Sequence, residues 1–523
     1  MLRWLLCGAV AALFAWNVSL FYMPGQGFTF MDTFGTKLHG RYLPEVRAVN
    51  HYEKPDSTGY DSQWYVQIAV RPHLRDPALM KSVDSLPYRA RRILFLWTAW
   101  LLGGGNPARV INAYALQNVV CWFLLAALLF RWLPPANWGN CARWAAVLLS
   151  FGLVFSVRGA LLDGPSLLLV AFGMALVEAG RPWLGAAVMG ISGLGKDTSV
   201  LCGAGMRLGD PRSPRAWASW LARAAIVLLP LAVWILCLRL WLGRGDDIGA
   251  RNFGAPFAGL TEKLQQSVSA LIAGGNQAVF ARYDLFVLAG LLAQFFFIAF
   301  RRRWDDPWWR IGACYAVLMV FLGDAVWESY PSAAARVLLP MTLAFNITVP
   351  RGRWWALLLV AGNLGILASA DMMKPPGRES FVVEGPRVLT MNPKDGRVVE
   401  AVYGTSWYPA EKSRWDFFRW GMREGPVAIR NPQPFPIVAV VRFKLRSVDE
   451  RAVIVTREGK LLWRAMLEPA EVKSVSLGEM ELPPGDTVLV FSSDRPAARP
   501  GNGDIRRLMY SLRDLEIDVL RRR

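Results

Sequence analysis

Long apolar segments dominate this chain and limit what it can fold into. Residues 216–242, for example, consist mostly of Ala, Leu, Val, Ile and Trp. About 20 such residues suffice for a helix to cross the hydrocarbon core of a bilayer, and a water-soluble domain would not contain several runs of this kind. The sequence therefore predicts a multi-span α-helical membrane protein.

Basic loops indicate how the predicted spans are oriented. The chain of 523 residues has a formal net charge of +19, and much of it lies in short clusters between apolar segments, such as Arg301–Arg303. Loops rich in Lys and Arg stay on the cytoplasmic side of a membrane, so this pattern explains the charge better than binding to nucleic acid does. With the N-terminus inside, we predict about eleven spans and an outer C-terminus. The predicted spans are residues 3–22, 110–131, 143–160, 166–180, 183–196, 198–207, 216–242, 283–300, 308–326, 337–349 and 354–371.

Two parts of the predicted membrane domain, residues 1–371, depart from regular spans. Residues 23–109 are predicted to form a long outer loop, in which residues 88–105 are apolar but too short to cross the membrane and carry three arginines at one end. We expect these residues to form a helix at the membrane interface. Residues 183–207 have a polar middle, which fits either two short helices or one broken helix.

The character of the sequence changes after about residue 371. In residues 440–447 apolar side chains alternate with charged ones, and residues 451–467 predict two strands around a turn that contains Gly459. Short strands at this spacing are typical of a β-sandwich, so we predict an outer β-sandwich domain over residues 372–523. Some of its aromatic residues either stack on sugar rings or form the core of the sandwich; they are Trp407, Tyr408, Trp415 and Trp420.

Charged residues at the predicted outer ends of the spans are the candidates for function, because ionisable groups are costly to keep at a membrane. Outside the membrane there is no pool of nucleotide sugars, so an enzyme there needs an activated substrate that arrives through the lipid, such as a sugar on a lipid phosphate. Transfer of that sugar to a hydroxyl requires a carboxylate that accepts a proton and cations that stabilise the departing phosphate. The candidates are Asp32, Asp61, Arg158 with Asp163, Lys196 with Asp197, and Asp324 with Glu328 and Arg336.

The chain offers few groups for a metal centre. It contains three His, and its six Cys follow no metal-ligand spacing. We therefore predict neither a metal site nor a cofactor, and the need for a divalent cation stays open.

The segment 59-GYDSQWYVQIA-69 resembles the first-loop motif of GT-C superfamily glycosyltransferases. It is similar to YDGQWYYQIA-like segments of bacterial members and, more distantly, to the DSQWY segment of GPI mannosyltransferases. Other motifs follow in the order expected for the family, namely YRARRIL at 88–94, LLDGPSLLLVAFGMAL at 161–176, GISGLGKDTSVL at 190–201 and ARVLLP at 335–340. The resemblance covers about residues 1–370, and the C-terminal part resembles a β-sandwich appended to some bacterial polysaccharide glycosyltransferases. The chain departs from the family at Ser62, where many relatives have Gly, and lacks the adjacent acidic pair that some members use for metal.

The resemblance implies roles for individual residues. Asp61 would be the catalytic base, and its position also suits a cap of the helix that follows; Asp32, just after the first span, is the alternative base. Asp163 would help to place the donor or the acceptor, or would cap its own helix. Arg336 would lie near the lipid phosphate or at the membrane interface. The other residues expected to bind substrate are Lys196, Arg89, Arg92, Gln63 and Tyr65.

We therefore expect an inverting hexosyltransferase of the bacterial inner membrane, with its active site and its C-terminal domain facing the periplasm. It would move a sugar from a polyprenyl-phosphate donor to a glycan or lipid-linked acceptor during synthesis of cell-surface polysaccharide or glycolipid. Its partners would be that donor, that acceptor and membrane lipids, not nucleic acid. The alternative is a non-enzymatic partner in polysaccharide assembly or export, or a carrier of lipid-linked glycans, in which the outer carboxylates would be dispersed and would not line one cavity.

Overall fold

A computed structural model of the chain contains an N-terminal helical region and a C-terminal region of β-strands. It describes residues 1–23, 26–54, 57–210, 212–243, 249–328, 332–375, 387–392, 397–412, 417–431, 436–500, 504 and 506–522. Trp415, one of the candidates for sugar stacking, lies outside the described residues.

The helical region extends from Leu2 to Met372 and contains α-helices of very different lengths. In chain order they are α1 (Leu2–Ser19), α2 (Pro44–Arg47), α3 (Ser62–Val70), α4 (Pro77–Ser82), α5 (Leu86–Arg89), α6 (Leu94–Leu102), α7 (Pro107–Leu129), α8 (Trp138–Leu148), α9 (Phe151–Arg158), α10 (Asp163–Glu178), α11 (Pro182–Gly193), α12 (Pro214–Leu242), α13 (Ala258–Ala273), α14 (Gly275–Phe300), α15 (Pro307–Phe321), α16 (Asp324–Trp327), α17 (Ala334–Val337), α18 (Leu339–Thr348), α19 (Arg353–Gly362) and α20 (Ile366–Met372). Short 3₁₀ helices lie at Thr29–Asp32, Thr36–Arg41, Ala90–Arg92, Asp197–Gly205 and Ala250–Asn252.

Local sequence explains where three of the helices begin. Helices α7, α12 and α15 each start at a proline that follows Asn106, Ser213 and Asp306, respectively. The side chain of each preceding residue accepts a hydrogen bond from a backbone N–H of the first turn. The capping bond satisfies a backbone N–H that has no acceptor within the helix. Proline at the first helical position has no backbone N–H, so no further acceptor is needed there.

Five helical segments among the described residues are long and apolar enough to cross a membrane, or six if a bent pair counts as one span. They are Leu2–Ser19, Pro107–Leu129, Pro214–Leu242, Gln277–Phe300 and Arg353–Met372, and the pair is α8 with α9, bent by 43°. These segments fit a membrane protein. The predicted count of about eleven spans stays a prediction, because the other predicted spans coincide with shorter helices, such as α10 and α11.

The two irregular parts of the helical region have the local structure that the sequence predicts. The apolar stretch of the first loop contains α6, whose nine residues are about 13 Å long, too short to cross a bilayer. In residues 183–207 the chain is divided at Leu194–Lys196, since α11 ends at Gly193 and the 3₁₀ helix Asp197–Gly205 follows.

The helices share a basic end. There, arginine side chains donate hydrogen bonds to backbone carbonyl oxygens at the ends of neighbouring helices. Arg143 at the start of α8 donates to the carbonyl oxygen of Pro350 after α18, over 2.9 Å. Arg310 in the first turn of α15 donates to the carbonyl oxygen of Gly205, over 2.7 Å. The loop Arg301–Arg303 joins α14 to α15 at this same end. Arg303 Nη1 lies 3.5 Å from the carbonyl oxygen of Thr348 at the end of α18, so the basic cluster Arg301–Arg303 lies at the same end as Arg143.

The C-terminal strands form two sheets. The strands are β3 (Arg387–Asn392), β4 (Arg397–Tyr403), β5 (Glu411–Lys412), β6 (Phe417–Trp420), β7 (Gly425–Asn431), β8 (Ile437–Ser447), β9 (Arg451–Arg457), β10 (Lys460–Leu467), β11 (Val472–Leu482), β12 (Gly485–Ser493) and β13 (Tyr510–Arg522); β1 (Phe34–Gly35) and β2 (Glu53–Lys54) are a short parallel pair in the first loop. One C-terminal sheet has the order β10-β9-β12-β7-β4-β3 and the other β11-β8-β13-β6-β5. The last helix ends at Met372 and β3 starts at Arg387. The division of the chain at residue 371 stays a prediction.

Side-chain alternation in the strands agrees with the sequence pattern. In β8, Val441, Phe443 and Leu445 are buried, and the charged residues between them are exposed or half-buried. The hairpin of β9 and β10 turns at Glu458 and Gly459, whose φ angles of 49° and 76° are those of a type I′ turn. Both strand predictions are confirmed.

The aromatic residues of this region belong mainly to the core between the sheets. Trp407 is 6% exposed and Trp420 is 9% exposed. The Trp407 ring lies 5.8 Å from the ring of Phe491 and 5.7 Å from that of Tyr510, and its Nε1 donates to the carbonyl oxygen of Pro426. These contacts favour a core role over sugar stacking for Trp407.

Trp407→Ala should lower the free energy of unfolding of the β-region by about 3–5 kcal/mol, because it leaves a cavity among packed rings. Leu461→Ala, at a side chain that is 61% exposed, should change it by less than about 0.5 kcal/mol. Urea-dependent hydrogen exchange in β7 and β12 of the detergent-solubilised protein measures both. Equal effects of the two substitutions would contradict the core assignment.

Candidate active site

A cavity of about 520 Å³ lies where several helices meet at the end opposite to the basic loops. One part of its lining is polar and consists of Tyr60, Asp61, Tyr65, Tyr88, Arg91, Arg92, Asp163, Lys196, Asp197, Thr198, Asn252, Glu328 and Arg336. The other part consists of Leu161, Leu162, Phe253, Leu318, Leu322, Ala325, Val326, Ala333 and Val337, with Gly249. The lining thus contains both charged and apolar side chains, and these two sets of residues are called the charged wall and the apolar wall below.

Asp163 occupies the centre of the charged wall because two helix ends converge there. Helix α10 begins at Asp163, and the antiparallel α11 brings the chain back to Lys196, whose Nζ lies 2.8 Å from Asp163 Oδ1. Arg336, in the short helix α17, places Nη1 3.0 Å from Asp163 Oδ2. The Asp163 side chain is only 4% exposed. Both of its oxygens are engaged, which makes it a fixed anchor for two cations.

Asp61 differs from Asp163 in its accessibility. Its side chain is 35% exposed, and it lines the cavity just before α3. It accepts no capping hydrogen bond from that helix, so the alternative role as a helix cap finds no support. Instead, Arg89 Nη2 lies 3.0 Å from Asp61 Oδ1. Although burial raises the pKa of the Asp61 carboxyl, the guanidinium groups of Arg89 and Arg336 outweigh burial and hold that pKa below its usual value.

Two tyrosines connect the arginines of the first loop. Arg92 donates from Nε to Asp197 Oδ1 over 3.0 Å, from Nη2 to the Tyr88 hydroxyl over 3.1 Å, and from Nη1 to the Tyr65 hydroxyl. Arg89 Nη1 lies 3.4 Å from the same Tyr65 hydroxyl. Tyr65 is therefore held between two cations. Its neighbour in the motif, Tyr60, similarly accepts a hydrogen bond from Arg336 over 2.9 Å.

Arg91 is the cavity cation whose charge remains available. Its guanidinium lies 5.7 Å from the centre of the Tyr88 ring. Within the described ranges of the chain, no carboxylate lies within ion-pair distance of it, whereas Lys196, Arg92 and Arg336 each pair with an aspartate. An anionic ligand in the cavity would find its free positive charge at Arg91.

Three predicted site residues do not line the cavity. Gln63 is buried, donates to the Thr58 carbonyl oxygen over 2.8 Å and accepts from the Tyr42 hydroxyl over 2.7 Å, so it fixes the first loop. Arg89 lies behind Asp61 and also binds Asp84, with Nη2 2.6 Å from Oδ2.

Asp32 is the third of these residues. It is 0% exposed, and neither of its carboxyl oxygens has a hydrogen-bond partner among the residues that the structure describes. Burial raises the pKa of this carboxyl well above its usual value. A carboxyl that is fully buried and does not line the cavity is poorly suited to be the alternative base.

Other charged candidates lie at the margin of the site. Arg158 stacks on the ring of Phe30 at 4.2 Å and does not line the cavity. Glu328 lies at the rim, and together with Asp324 it is paired with Arg251, whose Nη2 is 2.5 Å from Asp324 Oδ2. Among the described residues there is no cluster of three or more His, Cys, Asp or Glu that could hold a metal ion.

Comparison with known proteins adds little to this geometry. No protein-family model matches the chain, and no curated protein matches it. Among solved structures, it is similar to the arabinosyltransferase EmbB from Mycobacterium smegmatis, with a TM-score of 0.30 and 11% sequence identity, over 98% of this chain and 64% of that one. The chain thus spans less than two thirds of the length of EmbB. At this level the similarity identifies neither a family nor an activity.

Asp163→Ala should lower the free energy of unfolding by about 3–5 kcal/mol, because Lys196 and Arg336 would remain buried without their counter-charge. Combining it with Lys196→Met should recover part of that loss. Thermal unfolding of the purified protein in detergent tests both. A neutral effect of Asp163→Ala alone would show that Asp163 does not anchor the cavity.

Proposed function

We propose that the chain is a membrane glycosyltransferase that moves a sugar from a polyprenyl-phosphate donor to a hydroxyl of a glycan or lipid-linked acceptor. One observation carries the proposal. A single cavity contains an accessible carboxylate, Asp61, a cation with no carboxylate at ion-pair distance among the described residues, Arg91, and a set of apolar side chains. The GT-C resemblance of the motif around Asp61 points to the same activity.

The two walls of the cavity fit a donor that is half lipid and half phosphate sugar. The apolar residues from the ends of α15 and α17, such as Leu318 and Val337, suit the first isoprene units. Arg91 and Lys196 lie on the charged wall, where they would face the phosphate. A free phosphate or nucleotide would leave the apolar wall without a partner, whereas a lipid-linked donor uses both.

The reaction would be a single displacement. Asp61 accepts the proton of the acceptor hydroxyl while that oxygen forms a bond to the anomeric carbon of the sugar. The bond between the anomeric carbon and the phosphate oxygen breaks, and the phosphate leaves with the electron pair. Arg91 stabilises the charge that develops on it. Because attack and departure occur on opposite faces, the anomeric configuration inverts.

Arg89 has a defined part in this scheme. Its ion pair keeps Asp61 ionised at neutral pH and fixes the position of the carboxylate. Asp163 positions Lys196 and Arg336 and does not itself accept a proton, since both of its oxygens are engaged.

The distribution of charge supports an outer location for the cavity. The basic loops lie at the opposite end of the helices, and such loops stay in the cytoplasm. In a bacterium with two membranes the cavity would face the periplasm from the inner membrane. The C-terminal β-strands, which follow α20, would lie on that side too.

The non-enzymatic alternative predicts dispersed carboxylates. Instead Asp61 and Asp163, which are far apart in the sequence, line the same cavity. That proximity favours an enzyme over an assembly partner or a carrier.

Asp61→Asn should reduce sugar transfer by roughly 10²–10⁴-fold, the usual contribution of a general base. Asp32→Asn is the matched control; it should retain transfer, because Asp32 is fully buried and does not line the cavity. Mass spectrometry of surface glycans from a deletion strain carrying each variant gives the answer. Undiminished transfer by well-folded Asp61→Asn would remove Asp61 as the base.

Orientation can be tested by cysteine labelling in a variant whose six native cysteines are replaced by serine. Gly40→Cys in the first loop and Arg302→Cys at the basic end are both at exposed positions. A thiol reagent that does not cross membranes should label residue 40 in intact spheroplasts, and residue 302 only after permeabilisation. The reverse pattern would place the cavity in the cytoplasm.

A further inference from the structure

Tyr88, in the short helix α5 of the first loop, lines the active-site cavity, and the proposed displacement gives it no role. Its side chain is half-buried. Tyr65, the other tyrosine bound to Arg92, is only 3% exposed. Of these two hydroxyls, that of Tyr88 is therefore the more accessible to a ligand in the cavity.

The hydroxyl oxygen of Tyr88 has both of its acceptor positions occupied. Arg92 donates to it from Nη2 over 3.1 Å, and Asn252, in the loop between α12 and α13, donates to it from Nδ2, also over 3.1 Å. A tyrosine hydroxyl has two lone pairs that accept and one proton that it donates. No acceptor for that proton lies among the residues that the structure describes. Towards a ligand, Tyr88 can therefore act only as a donor.

Positive charge surrounds the Tyr88 ring. The guanidinium carbons of Arg89, Arg91 and Arg92 lie 5.5, 5.7 and 4.9 Å from the centre of the ring. Although burial raises the pKa of the Tyr88 hydroxyl, the positive charges of Arg92 and Lys196 outweigh burial and hold that pKa below its usual value. A hydroxyl polarised in this way is a stronger hydrogen-bond donor. Its best partner is an anionic oxygen that only accepts hydrogen bonds.

We propose that Tyr88 donates a hydrogen bond to a phosphate oxygen of the lipid-linked donor substrate. The inference rests on the proposed function for the identity of that substrate. A phosphate oxygen only accepts, which matches a hydroxyl whose lone pairs are both engaged. A sugar hydroxyl both donates and accepts, so it would leave its own proton without an acceptor at Tyr88.

This hydrogen bond would become stronger during the reaction. In the donor the phosphate is a diester with a single negative charge. When its bond to the anomeric carbon breaks, the phosphate keeps the electron pair and leaves as a monoester with a further negative charge. Tyr88 would thus stabilise the departing phosphate more than the bound substrate. Arg92 and Asn252 are positioning residues, because they act through the Tyr88 hydroxyl.

Binding of farnesyl phosphate to the full-length protein in lipid nanodiscs tests this role, with empty nanodiscs as the background. The probe has isoprene units and a phosphate but no sugar. Tyr88→Phe removes only the hydroxyl and should weaken binding about tenfold or more, the usual value of one hydrogen bond to a charged group. Tyr22→Phe, at a tyrosine that is 53% exposed and outside the cavity lining, should bind the probe as the wild type does.

Farnesol separates the contribution of the phosphate from that of the lipid. It has the same isoprene units without the phosphate, so Tyr88→Phe should bind farnesol as the wild type does. Undiminished binding of farnesyl phosphate by Tyr88→Phe, or an equal loss for both ligands, would overturn the hydrogen bond to the phosphate.

A double-mutant cycle tests whether Asn252 acts through Tyr88. Asn252→Ala should weaken binding of farnesyl phosphate less than Tyr88→Phe does, and it should have little further effect when Tyr88 is already replaced by Phe. Additive losses would contradict the positioning role of Asn252.

Two outcomes separate this inference from the proposed function. If the wild type binds no farnesyl phosphate, the polyprenyl-phosphate donor is wrong and the hydrogen bond is overturned with it. If Asp61→Asn retains sugar transfer while Tyr88→Phe loses binding of the probe, the proposed base is wrong and the hydrogen bond from Tyr88 stands.

Discussion

The ion pairs of Asp163 join three distant parts of the chain at the end of the helical region that lies opposite to the basic loops. Its carboxylate lies between Lys196 Nζ, at 2.8 Å, and Arg336 Nη1, at 3.0 Å, with a side chain that is 4% exposed. Charges this deeply buried are tolerated only when they are paired. The start of α10, the end of α11 and the short helix α17 must therefore meet at this point for the region to be stable.

The part of the cavity around Asp61 depends on this anchor. Arg336 binds Asp163 with one guanidinium nitrogen and the Tyr60 hydroxyl with another, and Tyr60 immediately precedes Asp61. The first loop is thus connected to the membrane helices through the same cation. Arg89 fixes Asp61 from behind, and the pairs made by Lys196, Arg92 and Arg336 leave Arg91 free for an anion.

The sequence predicts much of this arrangement, and its limits have physical causes. Apolar runs and basic clusters predict helices and their common basic end, since both follow from local composition. The motif around Asp61 identifies the accessible carboxylate. The burial of Asp32 and the internal hydrogen bonds of Gln63 could not be foreseen, because a carboxyl or amide next to the motif looks the same whether tertiary packing buries it or exposes it. Tyr60 and Tyr88 were missed although each is adjacent to a predicted residue, because pairing with arginine does not appear in a linear pattern.

A structure of the Asp61→Asn variant in lipid nanodiscs, determined by electron cryo-microscopy with a polyprenyl-phosphate sugar, tests the central claim most directly. The account predicts density for the phosphate beside Arg91 and Lys196, the isoprene chain along Leu318 and Val337, and the sugar next to residue 61. Phosphate density at the basic end, or lipid density that avoids the cavity altogether, would contradict it.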